Sequence, residues 1–365
     1  MKIINIVGAR PNFMKIAPLI RAMNKRMRQI EHLLVHTGQH YDASMSDNFF
    51  EQLEIPEPNI NLGIGSGSHA EQTAKIMIEF ERVLLQHKPD LIIVVGDVNS
   101  TIACSLVASK LGVRIAHVEA GLRSFDRTMP EEINRVLTDA ISDFLFTTEA
   151  SANENLEHEG IPHQKIFYVG NVMIDTLAHC LDKIQNSSLP FHNLQEKEYA
   201  VVTLHRPSNV DHPEILEKIL KAFYRISQKI KLVIPLHPRT NKNISAFGIQ
   251  DKLDKIAQNA VITGPIGYLE MLRLVKSARL VITDSGGLQE ETTYLGIPCI
   301  TMRENTERPS TVDLGTNALV GNDLDALFKN FEKILSNGFK KGHIPPLWDG
   351  KAAERIVEVL TTNHE

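Results

Sequence analysis

Short, unbroken apolar runs return along the chain at intervals long enough to hold a helix, and this alternation limits the fold more than any other feature. In the first half the runs are KIINIV (Lys2–Val7), HLLVH (His32–His36), LIIVV (Leu91–Val95), RIAHV (Arg114–Val118), FLFTT (Phe144–Thr148) and IFYVG (Ile166–Gly170). The second half repeats the idea with YAVVTL (Tyr199–Leu204), KLVIPL (Lys231–Leu236), AVIT (Ala260–Thr263), LVIT (Leu280–Thr283) and CITM (Cys299–Met302). Strands that are apolar throughout belong to sheets covered on both faces, and strands alternating with helices imply parallel βαβ units. The expected class is α/β, arranged as two Rossmann-like domains facing across a cleft. Their expected bounds are 1–178 and 199–347, joined by a polar linker at 179–198 that carries Asn-Ser-Ser and a proline. The closing stretch WDGKAAERIVEVL (Trp348–Leu360), within 348–365, has the pattern of an amphipathic helix.

Composition narrows the function classes. A chain of 365 residues, 42% hydrophobic and 23% charged, is long enough to bury two cores. Its net charge of −5 gives no reason to expect nucleic acid as a partner. No apolar run approaches the roughly 20 residues that span a bilayer, so no membrane is expected either. MKIINIVGARP reads as a first strand and not as a signal peptide. The three cysteines, Cys104, Cys180 and Cys299, are far apart and odd in number, which indicates neither a disulfide framework nor a zinc cluster. A cytoplasmic location is the expectation.

Where the apolar runs end, reactive side chains collect. VGARPNFMK (Val7–Lys15) opens the first strand-to-helix turn: Gly8 permits a tight turn, Pro11 starts a helix, and the free N–H groups attract anions. Arg10 and Lys15 add positive charge. The stretch lacks the GxGxxG fingerprint, which disfavours NAD. VVGDVNST (Val94–Thr101) puts Asp97 just beyond a strand, where it serves either as a helix N-cap or as a group facing a ligand. Glu119, straight after the strand RIAHV, brings a second carboxylate from another strand end. Two such carboxylates sharing one partly dry site would raise each other's pKa and supply acid and base forms near neutrality. In MPEEINR (Met129–Arg135), Pro130 suits the first helical position and Glu131 or Glu132 complements the positive helix end. Glu131 with Arg135 forms an i,i+4 pair. That explains one glutamate of the two.

In the second half, VTLHRPSNVD (Val202–Asp211) sets His205 and Arg206 after a strand, His205 as a phosphate contact, a proton donor or a satisfied loop histidine. PLHPRT (Pro235–Thr240) repeats the pattern with His237 and Arg239. TDSGGLQEETTYLGIPCI (Thr283–Ile300) is the most specific element. Ser285, Gly286 and Gly287 bring bare N–H groups against a phosphate at a helix N-terminus, and Glu290 and Glu291, one turn on, suit a ribose diol. A structural turn needs one glycine, not a cluster. RENTERPST (Arg303–Thr311) adds Arg303 and Arg308. HTGQH (His36–His40) spaces two histidines around a glycine turn and not along a helix, and HExxH and CxxC are lacking, so no metal is expected. Cys104, in IACSLVASKLG, reads as core and not as a nucleophile.

In their order, GARPNFMK, TGQHYD, GDVNST, HVEAGLRS, MPEEINR, TLHRPSN, PLHPRT, TDSGGLQEE and MRENTERP make the chain resemble the non-hydrolysing UDP-N-acetylglucosamine 2-epimerases nearly end to end. The resemblance implies the GT-B architecture of many nucleotide-sugar glycosyltransferases, with the C-terminal helix crossing back onto the first domain. It implies a UDP-sugar contact set of Arg10, Lys15, Arg135, Ser285, Gly286, Gly287, Glu291 and Arg308. The implied catalytic residues are Asp97, Glu119, Glu131 and His205, with His205 counted among the UDP contacts as well. In the implied reaction the C2 proton is removed as UDP leaves C1, giving a 2-acetamidoglucal. Reprotonation from the opposite face and re-addition of UDP turn the GlcNAc unit into ManNAc. No cofactor and no metal are implied; a homodimer is.

Two stretches depart from the family pattern. TGQHYDASMSDNFF carries Tyr41 and Asp42 where some members use glutamines to bind a second, regulatory UDP-GlcNAc, so that regulation is not carried over. Met271, in GYLEMLR, stands where an aromatic flanks uracil in some members. Related enzymes act on other UDP-2-acetamido sugars, including UDP-2,3-diacetamido uronic acids. Three further readings remain open. A GT-B glycosyltransferase would share the fold but have less use for three carboxylates. A hydrolysing epimerase would let water capture C1. A non-enzymatic UDP-sugar sensor would keep the nucleotide contacts without needing Asp97, Glu119 and Glu131.

Overall fold

The computed structural model describes residues 1–26, 28–38, 53–185 and 187–363, with Arg10 described by its backbone alone. The chain divides into two compact units, Met1–His179 with Pro346–Glu365, and Cys180–Pro345. Unit one holds β1 (Lys2–Val7), β2 (Glu31–His36), β3 (Ile60–Asn61), β4 (Leu91–Val95), β5 (Arg114–Ala120), β6 (Phe144–Thr147) and β7 (Ile166–Tyr168). They form one parallel sheet in the order β3-β2-β1-β4-β5-β6-β7. Unit two holds β8 (Tyr199–Thr203), β9 (Lys231–Pro235), β10 (Ala260–Thr263), β11 (Leu280–Thr283), β12 (Cys299–Thr301) and β13 (Asn317–Leu319). Their parallel order is β10-β9-β8-β11-β12-β13.

The central strands are buried on both faces, as their unbroken apolar runs require. Every residue of β4 is buried, and Ile3, Ile4, Ile92 and Ile93 are 0% exposed. Branched side chains fit the pleated surface, and each one fully buried contributes roughly 1.5–3 kcal/mol. In both sheets the chain steps outward from its first strand, returns, and continues on the other side of that strand. The crossovers therefore part company between β1 and β4, and again between β8 and β11. At such points the loops at the carboxyl ends of the strands diverge and leave a crevice within each sheet.

The structure differs from the sequence reading at several boundaries. The strands β3 and β13 go unread because two or three residues at a sheet edge are too few to show a period. β5 continues two residues past Val118. The helix Val172–Ile184 runs into the polar stretch read as linker, because its apolar stripe outlasts the composition change. The last helix begins at Ala352, not Trp348. Trp348 is buried instead, its Nε1 donating to Thr148 O at 2.9 Å, and the Asp175 carboxylate accepts the first helical N–H groups of Ala352 and Ala353 at 3.1 and 2.7 Å. These bonds fasten the C-terminal helix to unit one. Among the described residues, no helix is long and apolar enough to cross a membrane.

Candidate functional site

The loops leaving β1 and β4 meet at the first switch point. Asn12 Oδ1 accepts from the N–H groups of Gly8 and Ala9, both at 3.0 Å, while its Nδ2 donates to Val95 O at 3.0 Å, tying the two strand ends together. On the same helix Lys15 is buried and ion-paired with Glu119. Glycine is needed after β4, since Gly96 has φ +68° and a Cβ there would lie 2.7 Å from Lys15 Nζ and 3.5 Å from Glu119 Oε2. Asp97 is not a helix cap: Val98 takes the N-cap position, and Asp97 Oδ2 accepts from Arg135 at 2.5 Å.

Glu119 belongs to β5 and does not follow it. The strand shifts register against β6 between Val118 and Ala120, and Glu119 adopts φ +73°. This left-handed conformation costs a non-glycine residue roughly 1–2 kcal/mol, and bulges of this kind re-aim a side chain beside active sites. Asp97 and Glu119 each face a cation, Arg135 and Lys15 respectively. The two neighbouring glutamates divide their work. Glu132 accepts from the N–H groups of Ser124 and Phe125, both at 2.9 Å, and from Arg135 at 2.9 Å, which folds the loop before the helix Pro130–Ile141. The expected Glu131–Arg135 pair is thus replaced by Glu132–Arg135, at i,i+3. Among the described residues, the half-buried Glu131 has no side-chain hydrogen bond or ion pair. The Arg10 side chain and the positions of His40, Tyr41 and Asp42 lie outside the described residues.

At the second switch point Asp284, 0% exposed, organises the loop after β8. It accepts from the backbone N–H groups of His205 (3.0 Å) and Arg206 (2.9 Å), from Asn209 Nδ2 at 3.0 Å, and lies 3.0 Å from His205 Nδ1. Burial opposes its ionisation, but these donors, His205 foremost, hold its carboxyl below the ordinary value. Ser285 caps the helix Gly286–Leu295 by position, leaving Gly286 and Gly287 at the N-terminus. A Cβ on Gly286 would come 3.0 Å from Arg308, whereas one on Gly287 would meet no protein atom within 4 Å. Packing therefore does not demand the second glycine, which fits an anion-binding use of the bare backbone.

The acids of this helix are less exposed than a sugar contact would suggest. Arg308 Nε pairs with Glu290 at 2.7 Å, and Arg303 grips Glu307 through two bonds of 2.9 and 2.8 Å. Burial pushes the Glu291 carboxyl up to about 7; the hydroxyl of Tyr268 beside it opposes the rise and Glu290 adds to it. Met271 packs half-buried on the core with Leu274 and Val275. His237 sits 5.3 Å from the His205 ring, centre to centre, while Arg239 is committed to Asp211.

Sequence reasoning missed Asp284 and the buried pair His117 and Asp139. Asp284 shares the signal that exposed Asp97, a carboxylate at the carboxyl end of a strand, but the adjacent glycines drew the reading. Asp139 gives no local signal, because it is one acid within an otherwise ordinary amphipathic helix.

Comparison with known proteins shows the family of the chain. The family model for UDP-N-acetylglucosamine 2-epimerase matches residues 21–361. Over 367 residues the chain is 47% identical to the UDP-N-acetylglucosamine 2-epimerase of Methanocaldococcus jannaschii, covering 99% of each. It is 42% identical over 364 residues to the UDP-2,3-diacetamido-2,3-dideoxy-D-glucuronate 2-epimerase of Pseudomonas aeruginosa, again covering 99% of each. The crystal structure of the M. jannaschii UDP-GlcNAc 2-epimerase in complex with UDP-GlcNAc and UDP matches with a TM-score of 0.90 over 100% of both chains. Identity at this level over 99% of both chains, with a family model matching residues 21–361, makes this chain a member of the UDP-N-acetylglucosamine 2-epimerase family.

Proposed function

We propose that the chain is a non-hydrolysing UDP-N-acetylglucosamine 2-epimerase, interconverting UDP-GlcNAc and UDP-ManNAc. The observation that carries this reading is the arrangement at the first switch point, where Glu119, strained at φ +73° beside Lys15, and Asp97, beside Arg135, issue from adjacent strands. The C2–H of the sugar is a weak acid, and its removal calls for carboxylates placed by rigid elements. Asp97, Glu119 and Glu131 form the acid/base set. As one carboxylate takes the C2 proton, the C–H electron pair becomes the C1=C2 double bond and the bond from C1 to the UDP oxygen breaks. A proton delivered to the opposite face of C2 and return of UDP to C1 complete the epimer, so the steps balance without oxidant or reductant.

The diphosphate is assigned to Ser285, Gly286, Gly287 and Arg308, with His205, because the N–H groups and the Arg308 cation there match charge that builds on the leaving group; Arg10 stays a contact that the family resemblance implies. Glu291 is assigned to the ribose diol. In this reading Lys15 and Arg135 serve the carboxylates they pair with, in addition to any contact with the sugar nucleotide. A cytoplasmic homodimer completes the proposal. Ile133 and Leu137, 43% and 49% exposed on one helix face, offer an apolar patch to a second copy. Sedimentation at twice the chain mass is the expected result.

The 42% identity to the P. aeruginosa enzyme favours one second reading, a UDP-2-acetamido sugar further substituted at C3 and oxidised at C6. The test is turnover of both sugars under one set of conditions. The proposal expects kcat/KM for UDP-GlcNAc to exceed that for the diacetamido uronate by about tenfold or more, a transition-state difference of about 1.4 kcal/mol. The reverse ranking would transfer the assignment to the second sugar.

A further inference from the structure

We infer that His117 is a positioning residue: a doubly protonated ring, wedged between the Asp139 carboxylate and the Gly96 carbonyl, that fixes the turn carrying Asp97 to the strand end carrying Glu119. The inference rests on the reading of Asp97 and Glu119 as acid/base groups.

His117 lies in β5, two residues before Glu119, and is 0% exposed. Its Nε2 is 2.8 Å from Gly96 O and its Nδ1 is 2.6 Å from Asp139 Oδ1. A carbonyl oxygen has no proton to give, so Nε2 must donate. The proton of the second bond then sits on Nδ1 or on Asp139. Asp139 Oδ2 already accepts from Arg123 at 2.7 Å and from the Gly121 N–H at 3.1 Å. The Arg123 guanidinium, which is always charged, favours the anion at Asp139. The proton belongs on the ring.

A buried charge is tolerable only when paired, and this one heads an alternating series. His117 meets Asp139, Asp139 meets Arg123, and Arg123 meets Glu159 through bonds of 2.8 and 2.6 Å. Among the described residues, Lys15 and Glu119 also face Gly96 and are joined to each other, and Asp97, next in sequence, is paired with Arg135. The bonds bracket the strained residue from both sides. Before it, the Gly96 N–H donates to Val118 O at 3.0 Å while Gly96 O receives the His117 ring. After it, Asp139 takes the Gly121 N–H. A shift of the turn at Gly96 relative to the strand end at Gly121 would break a bond to this pair.

The experiment is nitrogen NMR of the full chain labelled at histidine, with the His117 signals identified by their loss in His117→Gln. Both ring nitrogens of His117 should show the protonated signature. A neutral tautomer in the wild type overturns the inference whatever the activity. Amide exchange in Asp139→Asn, the milder variant, should be faster at Gly96 and Gly121; unchanged protection there also overturns it. In folded variants kcat for C2 proton exchange should fall about a hundredfold, as for a small misplacement of reacting groups, with KM within about threefold. A loss confined to KM, or a kcat loss of only a few-fold, counts against positioning. The ring spectrum and amide exchange decide the inference for any sugar, whereas a wild-type chain that exchanges no C2 proton contradicts the proposed reaction alone.

Discussion

Lys15 and Glu119 form a buried pair at the candidate site, and a buried pair suffers more from losing one member than from losing both. Lys15→Met should cost about 3 kcal/mol, because it leaves a buried carboxylate without its cation, and Glu119→Gln in the same chain should recover more than half of that. Denaturant unfolding of the singles and the double checks this; strictly additive losses would contradict the pairing. Glu291 makes a second prediction. Its carboxyl, raised by burial from 4.5 to about 7, binds a proton in the folded chain that the unfolded chain has released. Stability from this group is therefore full below pH 4.5 and is lost as pH rises to about 7. Glu291→Gln should gain on the wild type across that window and level off above it, by about 3 kcal/mol at most, in melting experiments at stepped pH. A gain independent of pH would contradict it. At this scale the sequence discloses residue types and strand-end positions but not partners. Glu131 and Glu132 look alike in MPEEINR, and only the loop bonds to Ser124 and Phe125 tell them apart.

Elements place these residues, and they were the most legible level. An unbroken run such as LIIVV in β4 admits few alternatives to a doubly covered strand. The order of strands and the bulge in β5 were not legible. Order depends on contacts distant in sequence, and a bulge at a glutamate breaks the local rule that left-handed backbone belongs to glycine. The helix Gly286–Leu295 offers a test of whether its glycines serve structure or ligand. Gly287→Ala meets no protein atom, so stability should hold or rise by up to about 1 kcal/mol from better helix propensity. UDP affinity measured calorimetrically should meanwhile fall about tenfold, about 1.4 kcal/mol, if the bare backbone receives phosphate. Unchanged affinity would remove Gly287 from the proposed diphosphate contacts.

At the scale of the molecule, both sheets run outward from the first strand and then continue on its far side, and both collect their reactive groups at that reversal. In one sheet the reversal gathers carboxylates with paired cations; in the other it gathers a buried aspartate, a histidine and a glycine-led helix. The proposed elimination and re-addition of UDP asks for both kinds of group, carboxylates to move a proton and N–H groups with a cation to receive a diphosphate. The most direct test is proton NMR of the purified chain with UDP-GlcNAc in D2O, following the C2 proton and the anomeric signals together. The account predicts loss of the C2 proton signal to deuterium as UDP-ManNAc anomeric signals appear, and loss of both changes in Asp97→Asn and Glu119→Gln. A folded, UDP-binding chain that leaves the C2 proton in place, or that forms UDP-ManNAc without taking up deuterium, would contradict it.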